Sequence, residues 1–305
     1  MAGIGILVNP KAGAIRRDPD LPDRMRARLG PADALAVAHT PDEVPPAIEG
    51  FQRAGIDVLG VVGGDGSNLY ALTAATRIYG AALPPIAMLK GGSINTVSRY
   101  LGLRGEPEGL LLRLIEARAA GALATVSVPT LRVNDKVGFV FGGGLVANFY
   151  DMFYQGRGKG IGDVVALVSR CFVAALAETQ LSRQLFAPVL ARITADGREL
   201  PPRACTLMMA STIDNLLGFR VTYRACEEAG AFHLVASENH HRRLARQFYR
   251  AFLGRPLTGE RHFDGVVREA RIEFDRPSKY MVDGDLFEAD AITLSPGPTL
   301  SIVKL

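Results

Sequence analysis

Residues 58–70 read VLGVVGGDGSNLY. The apolar run Val58–Val62 has the length and β-branched content of a buried strand. It drives straight into Gly63-Gly64-Asp65-Gly66-Ser67, and Ser67–Ile78 reads as a helix capped by the Ser67 hydroxyl. A strand, a glycine loop and a helix in that order point backbone N–H groups at a helix N-terminus, where a phosphate is favoured. Asp65 sits among those donors. It would repel phosphate unless it holds Mg2+ or a sugar hydroxyl, or takes a proton; as a plain helix cap it would need no function.

The same alternation extends outward over residues 3–125. Strands are expected at Gly3–Asn9, Ala34–His39, Val58–Val62 and Ile86–Leu89. Helices are expected at Asp20–Leu29, Pro41–Ala54 (with Thr40 as N-cap), Ser67–Ile78, Ile94–Leu101 and Pro107–Ala120. Short apolar strands separated by helices make parallel βαβ units. The first domain is therefore read as a doubly wound α/β layer structure, and ligands of such folds bind at the C-terminal strand ends. Three glycine loops fall there: Asn9–Gly13, Gly63–Ser67 and Gly91–Ser93.

From about Thr125 the texture changes. TVSVPTLRVNDKVGFVFGGG, at 125–144, alternates and turns at Asn134-Asp135 as a hairpin would. The stretches at 188–200, 205–212, 231–237 and 270–305 continue the β pattern, interrupted by helices near 161–182 and 238–253. The boundaries are thus 1–125 for the α/β domain and 126–290 for a mostly antiparallel β domain, with residues from about 290 to 305 free to return to the first.

The bulk composition is that of a globular chain: 305 residues, 48% apolar and 22% charged. A net charge of +4 suits a polyanionic ligand or an anionic membrane surface and is too small to argue for nucleic acid. The cysteines, Cys171, Cys205 and Cys226, have neither metal nor disulfide spacing, which favours a reducing compartment. The five histidines show no ligand spacing. The N-terminus enters a strand without a cleavable signal, and the most apolar helix carries Asp163 and Arg170. A cytoplasmic protein that touches membranes from outside is expected, and a homodimer is left open.

Three further motifs carry candidate chemistry. In NPKAG, at 9–13, Pro10 fixes the turn and Gly13 frees the backbone, and Lys11 adds charge toward a phosphate. Taken alone it is an ordinary βα turn. LKGGSINTVSR, at 89–99, repeats strand, glycine loop, hydroxyl and helix; Ser93 either caps its helix or meets a phosphate, and Lys90 either contacts phosphate or is solvated. In MVDGDLF, at 281–287, Asp283 and Asp285 flank Gly284. They form a plain hairpin turn, or supply a general base and a metal contact.

NPKAG, GGDGSNLY, GGSIN and DGD, in that order, resemble the diacylglycerol kinase catalytic family, which includes bacterial lipid kinases, sphingosine kinases and ceramide kinases. The resemblance covers nearly the whole chain. It implies an α/β nucleotide domain and a β-sandwich domain with the active site in the cleft between them. It also implies ATP and Mg2+ as cofactors. Nucleotide contacts would come from Asn9, Lys11, Gly13, Thr40, Gly63, Gly64, Asp65, Gly66, Ser67, Gly92, Ser93 and Asn95. Asp285 stands where the family has the glutamate proposed to deprotonate the lipid hydroxyl; in sphingosine kinases that role falls to the aspartate matched by Asp65. Asp65 and Asp283 are the candidate metal contacts through Mg-ATP, and Asp283 joins the candidate catalytic set. The chain departs from the family pattern at Tyr70 and Thr96, where acidic residues are usual, at Lys90, where proline is usual, and at Ala229-Gly230, where an Asp-Gly pair serves a metal site in some members.

The implied reaction is transfer of the ATP γ-phosphoryl group to a primary hydroxyl of a lipid such as diacylglycerol, ceramide or a sphingoid base. Residues 238–254, ENHHRRLARQFYRAFLG, form a basic amphipathic helix that either meets a membrane surface or packs its aromatics on the core. Two rivals stand beside this reading: a soluble-substrate kinase of the NAD-kinase type, and a non-catalytic nucleotide- or lipid-binding relative.

Overall fold

The computed structural model describes residues 3–92, 94–155, 162, 168, 170 and 179–305. Ser93, Cys171 and most of the expected helix at 161–182 lie outside the described residues. The chain forms two compact units, Met1–Val128 with Pro298–Leu305, and Pro129–Gly297.

The first unit runs β1 (Ile4–Val8), α1 (Gly13–Arg17), α2 (Leu21–Arg28), β2 (Ala34–Val37), α3 (Val44–Arg53), β3 (Val58–Val62), α4 (Asp65–Tyr79), β4 (Ile86–Met88), α5 (Thr96–Tyr100) and α6 (Pro107–Ala119). The strands pair in parallel in the order β2-β1-β3-β4, and Ile302 near the C-terminus pairs in parallel with Ile86 on β4. β1, β3 and β4 are buried throughout, which is why they read as unbroken apolar runs instead of alternating ones. Ile4, Ile6 and Val8 of β1 join Leu21 and Met25 of α2 and Leu110, Leu111 and Leu114 of α6 in one core. On the other face, Phe51 of α3 lies directly over Gly5 of β1, and α3 packs along α4. Each such fully buried side chain contributes about 1.5–3 kcal/mol.

The second unit is mostly β. Its strands are β5 (Thr125–Val133, which begins in the first unit), β6 (Lys136–Gly138), β7 (Val140–Gly144), β8 (Val189–Ala195), β9 (Arg198–Glu199), β10 (Ala204–Cys205), β11 (Leu207–Ser211), β12 (Phe232–Ser237), β13 (His262–Val267), β14 (Ala270–Val282) and β15 (Asp285–Val303), which ends in the first unit. Their pairings within the unit are antiparallel, in the order β13-β12-β11-β7-β14-β15, with β8 also on β14. The hairpin expected at Asn134-Asp135 is present, with Val133 opposite Lys136.

Helices of this unit among the described residues include α7 (Leu145–Gln155), α8 (Gln180–Leu185) and α9 (His241–Leu253). The sequence reading did not anticipate α7. Its run LVANFYDMFYQ is rich in aromatic residues that favour strands, and it follows a strand directly. Gly144 makes the break: its φ is +59°, and a Cβ there would lie 2.5 Å from the Thr206 carbonyl oxygen.

A buried polar cluster joins β12 to β13. Arg224 N–H donates to His233 Nδ1 at 3.3 Å, which leaves Nε2–H to donate to Asp264 Oδ1 at 2.8 Å. Burial pushes the Asp264 carboxyl upward, but its histidine neighbours, His233 first, hold it at about 2. Among the described residues no group of three or more His, Cys, Asp or Glu side chains is placed to hold a metal ion.

Truncating Phe51 to Ala would leave a cavity between α3 and β1. Such a change is expected to cost about 3–5 kcal/mol, read as a lower denaturant midpoint with an unchanged slope.

Candidate functional site

The three glycine loops of the first unit hold one another by backbone contacts. Asn9 follows β1 directly, and its side chain does two things. Oδ1 accepts Lys11 N–H at 2.8 Å, which shapes the turn, and Nδ2 donates to Ser67 Oγ at 2.8 Å. Ala14 N–H donates to the Gly91 carbonyl at 2.9 Å, tying the first loop to the third. The Gly63 carbonyl then accepts two amides of the third loop, Gly91 at 2.7 Å and Gly92 at 2.9 Å.

This closure requires glycine. A Cβ on Gly92 would lie 2.3 Å from Gly64 Cα, and one on Gly63 would lie 2.2 Å from Ser67 Cβ. The backbones therefore touch where side chains would stand. α4 begins immediately afterwards, at Asp65, with Gly64 as N-cap and no side-chain cap. The first amides of a helix have no intrahelical acceptor, so the loops frame a set of donors suited to an anion.

Asp65 occupies the first turn of α4. Its Oδ2 accepts both the backbone N–H of Thr96, at 3.0 Å, and the Thr96 hydroxyl, at 3.1 Å. Its Oδ1 is shut off from solvent and has no hydrogen-bond partner among the described residues. Burial raises the Asp65 pKa above the ordinary carboxylate value, opposed by the Thr96 donors, the Val97 amide and the Arg99 charge. Thr96 stands where the family pattern has an acidic residue; its hydroxyl donates to the carboxylate where an acid would repel it.

The local reading of Ser67 needs correction. Ser67 does not cap α4, because the helix starts two residues earlier; its hydroxyl accepts from Asn9 instead. Thr40 is the N-cap residue of a 3-10 turn, Pro41–Glu43, that leads into α3, with no side-chain cap bond. Glu43 reaches back to accept His39 N–H at 2.8 Å, and this bond holds its carboxyl low.

The remaining first-unit residues divide by exposure. Lys11 is exposed beside the first loop, and Gly13 is buried at the start of α1. Asn95, at φ +54°, accepts Gly92 N–H at 3.0 Å and donates to the Gly92 carbonyl at 2.6 Å, so it shapes the third loop. Lys90 turns its Nζ toward the Leu103 carbonyl at 3.4 Å. Tyr70 lies half-buried on the second turn of α4. Ser93 is outside the described residues.

Asp283 and Asp285 belong to the second unit, at the β14–β15 hairpin, where Val282 pairs with Asp285. The turn residues Asp283 and Gly284 have φ +46° and +94°, as a tight hairpin of this hand requires. Asp283 is buried, and its carboxylate accepts Phe139 N–H at 3.0 Å and Val140 N–H at 2.9 Å. Its own N–H donates to the Val140 carbonyl at 3.1 Å. From α7, the Tyr154 hydroxyl donates to the Gly284 carbonyl at 2.9 Å. The turn is fixed from both sides, and Asp285 follows it half-buried at the first position of β15.

Residues 4–126 match the sequence profile of the diacylglycerol kinase catalytic domain. No curated protein matches the chain. Among solved structures, a protein described as a diacylglycerol kinase from Bacillus anthracis str. Sterne is similar, with TM-score 0.64 and 15% identity over 99% of this chain and 96% of that one. Two structures from the same organism, provisionally described as diacylglycerol kinases, give TM-scores of 0.71 at 15% identity and 0.69 at 16%, with the same coverage. At these identities the likeness is one of fold. The resemblance read from the loop motifs holds for the catalytic-domain profile over residues 4–126.

Two expectations follow from the geometry. Because the folded-state pKa of Asp65 is raised, its protonated form favours folding: that contribution is complete below the unfolded pKa and is lost as pH rises through the folded value. Asp65→Asn should therefore melt above the wild type at pH 7, the gap closing toward pH 4. Asp283→Ala leaves the Phe139 and Val140 amides without their acceptor, and should destabilise by about 2–4 kcal/mol in denaturant unfolding.

Proposed function

We propose that this chain, which carries the profile of the diacylglycerol kinase catalytic domain over residues 4–126, is an ATP-dependent lipid kinase. It would transfer the γ-phosphoryl group of ATP to a primary hydroxyl of a membrane lipid. The observation that supports this most directly is the closure of three glycine loops around the start of α4. Phosphoryl transfer asks mainly for positioning and for compensation of charge on the phosphate oxygens. Backbone donors around Gly64, Gly66 and Ser67 answer that requirement, with exposed Lys11 adding positive charge.

Asp65 supplies the fit to a divalent cation. An orphaned carboxylate oxygen beside an anion-binding loop needs either a proton or a metal, and Oδ1 is such an atom. Mg2+ held there would offset phosphate charge. Asp285 is assigned as the base that takes the lipid hydroxyl proton. Its carboxylate is half-buried at the end of a turn held by the Asp283 and Tyr154 contacts, so its position is set by the fold. Asp283, expected from the sequence as a catalytic and metal candidate, is assigned here to anchoring that turn, because backbone amides occupy its carboxylate.

The test offers labelled ATP and Mg2+ with micellar diacylglycerol, monoacylglycerol, ceramide or sphingosine, and with NAD, followed by thin-layer separation. Labelled lipid is the expected product; labelled NAD phosphate, or no product, overturns the proposal. Asp285→Asn should lower kcat about 10²–10⁴-fold with nucleotide binding intact. If both Asp285→Asn and Asp65→Asn keep full activity, the catalytic assignment is wrong.

A further inference from the structure

Residues 239–259 contain five arginines, Arg242, Arg243, Arg246, Arg250 and Arg255, and no acidic residue. The structure sorts this segment by face. His241, Leu244, Ala245, Gln247 and Ala251 of α9 are buried, with Gln247 exchanging hydrogen bonds with the Thr258 backbone at 2.7 and 3.0 Å. By helical spacing Tyr249 and Leu253 lie away from that buried face, and Phe252 lies at its C-terminal end, against Phe219 and Phe248. Tyr249, Phe252 and Leu253 are 51%, 46% and 56% exposed, and few other large apolar side chains among the described residues are so open.

These residues form a supported tip. Phe219, from the preceding loop, stacks against Phe252 with ring centroids 4.7 Å apart and against Phe248 at 5.6 Å. The Arg250 guanidinium lies 5.9 Å from the Tyr249 ring and donates to the Pro256 carbonyl at 2.9 Å. Arg243, Arg246 and Arg255 are exposed and have no ion-pair partner among the described residues. Exposed aromatic and aliphatic side chains near a helix end, on a segment whose charges are all positive, match an interface with an apolar interior and an anionic surface.

Resting on the lipid-kinase reading, we infer that the C-terminal end of α9 is a membrane-docking surface: Tyr249, Phe252 and Leu253 enter the headgroup boundary of an anionic bilayer while Arg243, Arg246 and Arg255 meet lipid phosphates. The partner is a bilayer and not a folded protein because the charge is of a single sign along the segment and large apolar side chains stand exposed on it.

The test is sedimentation of the whole chain with vesicles of phosphatidylcholine, with and without a third of phosphatidylglycerol. Preferential binding to the anionic vesicles is expected. Arg243→Glu with Arg246→Glu, and separately Phe252→Ser with Leu253→Ser, should each lower the partition coefficient at least about tenfold. All four side chains are exposed, so circular dichroism should be unchanged, and phosphorylation of lipid in detergent micelles should be retained. Wild-type levels of vesicle binding in both variants overturn the docking surface. So does a variant that changes oligomeric state in light scattering while vesicle binding stays intact, which would make the tip an interface between copies. Binding to vesicles is read without catalysis, so a chain that docks yet phosphorylates no lipid would refute the kinase reading alone.

Discussion

The Gly63 carbonyl accepts two amides from the third loop, and the arrangement of the glycine loops depends on that convergence. It brings the backbone at 91–92 against the backbone at 63–64, closer than any Cβ would permit. Parallel strands supply the loops in register at one end of the sheet. Strand pairing alone would not close them on one another; the paired amides and the absent side chains do. An anion-binding surface made of backbone needs such closure, because each donor is fixed only as well as the chain that carries it.

That closure also explains the state of Asp65. Placing α5 against the start of α4 gives one carboxylate oxygen two donors from Thr96 and leaves the other buried with none. The arrangement favours a proton or a cation at that oxygen, at a cost in stability when neither is there. A group that destabilises its own folded state at neutral pH is a common mark of a functional position.

In the second unit the corresponding fixed point is the turn at Asp283-Gly284. A buried carboxylate satisfied by two amides and a tyrosine hydroxyl on the neighbouring carbonyl hold the first residue of β15 in place. Of the two acidic residues of the motif, Asp283 holds the turn and Asp285 follows it half-buried.

The sequence by itself determined the alternation of buried strands and helices over residues 3–125, the change to antiparallel β after Thr125, and the three glycine loops. Those features rest on local periodicity and on glycine's conformational freedom. It misplaced the start of α4 and the use of Ser67, and it left the roles of Asp65 and Asp283 open. Ser67 answers to Asn9, 58 residues away, Asp65 to Thr96, 31 away, and Asp283 to Phe139, 144 away. α7 was hidden because its aromatic residues favour strands until Gly144 turns the chain. For the helix at 241–253 the sequence showed both charge and aromatics; only the packing decided which aromatics face outward, since burial depends on what the rest of the chain brings against each face.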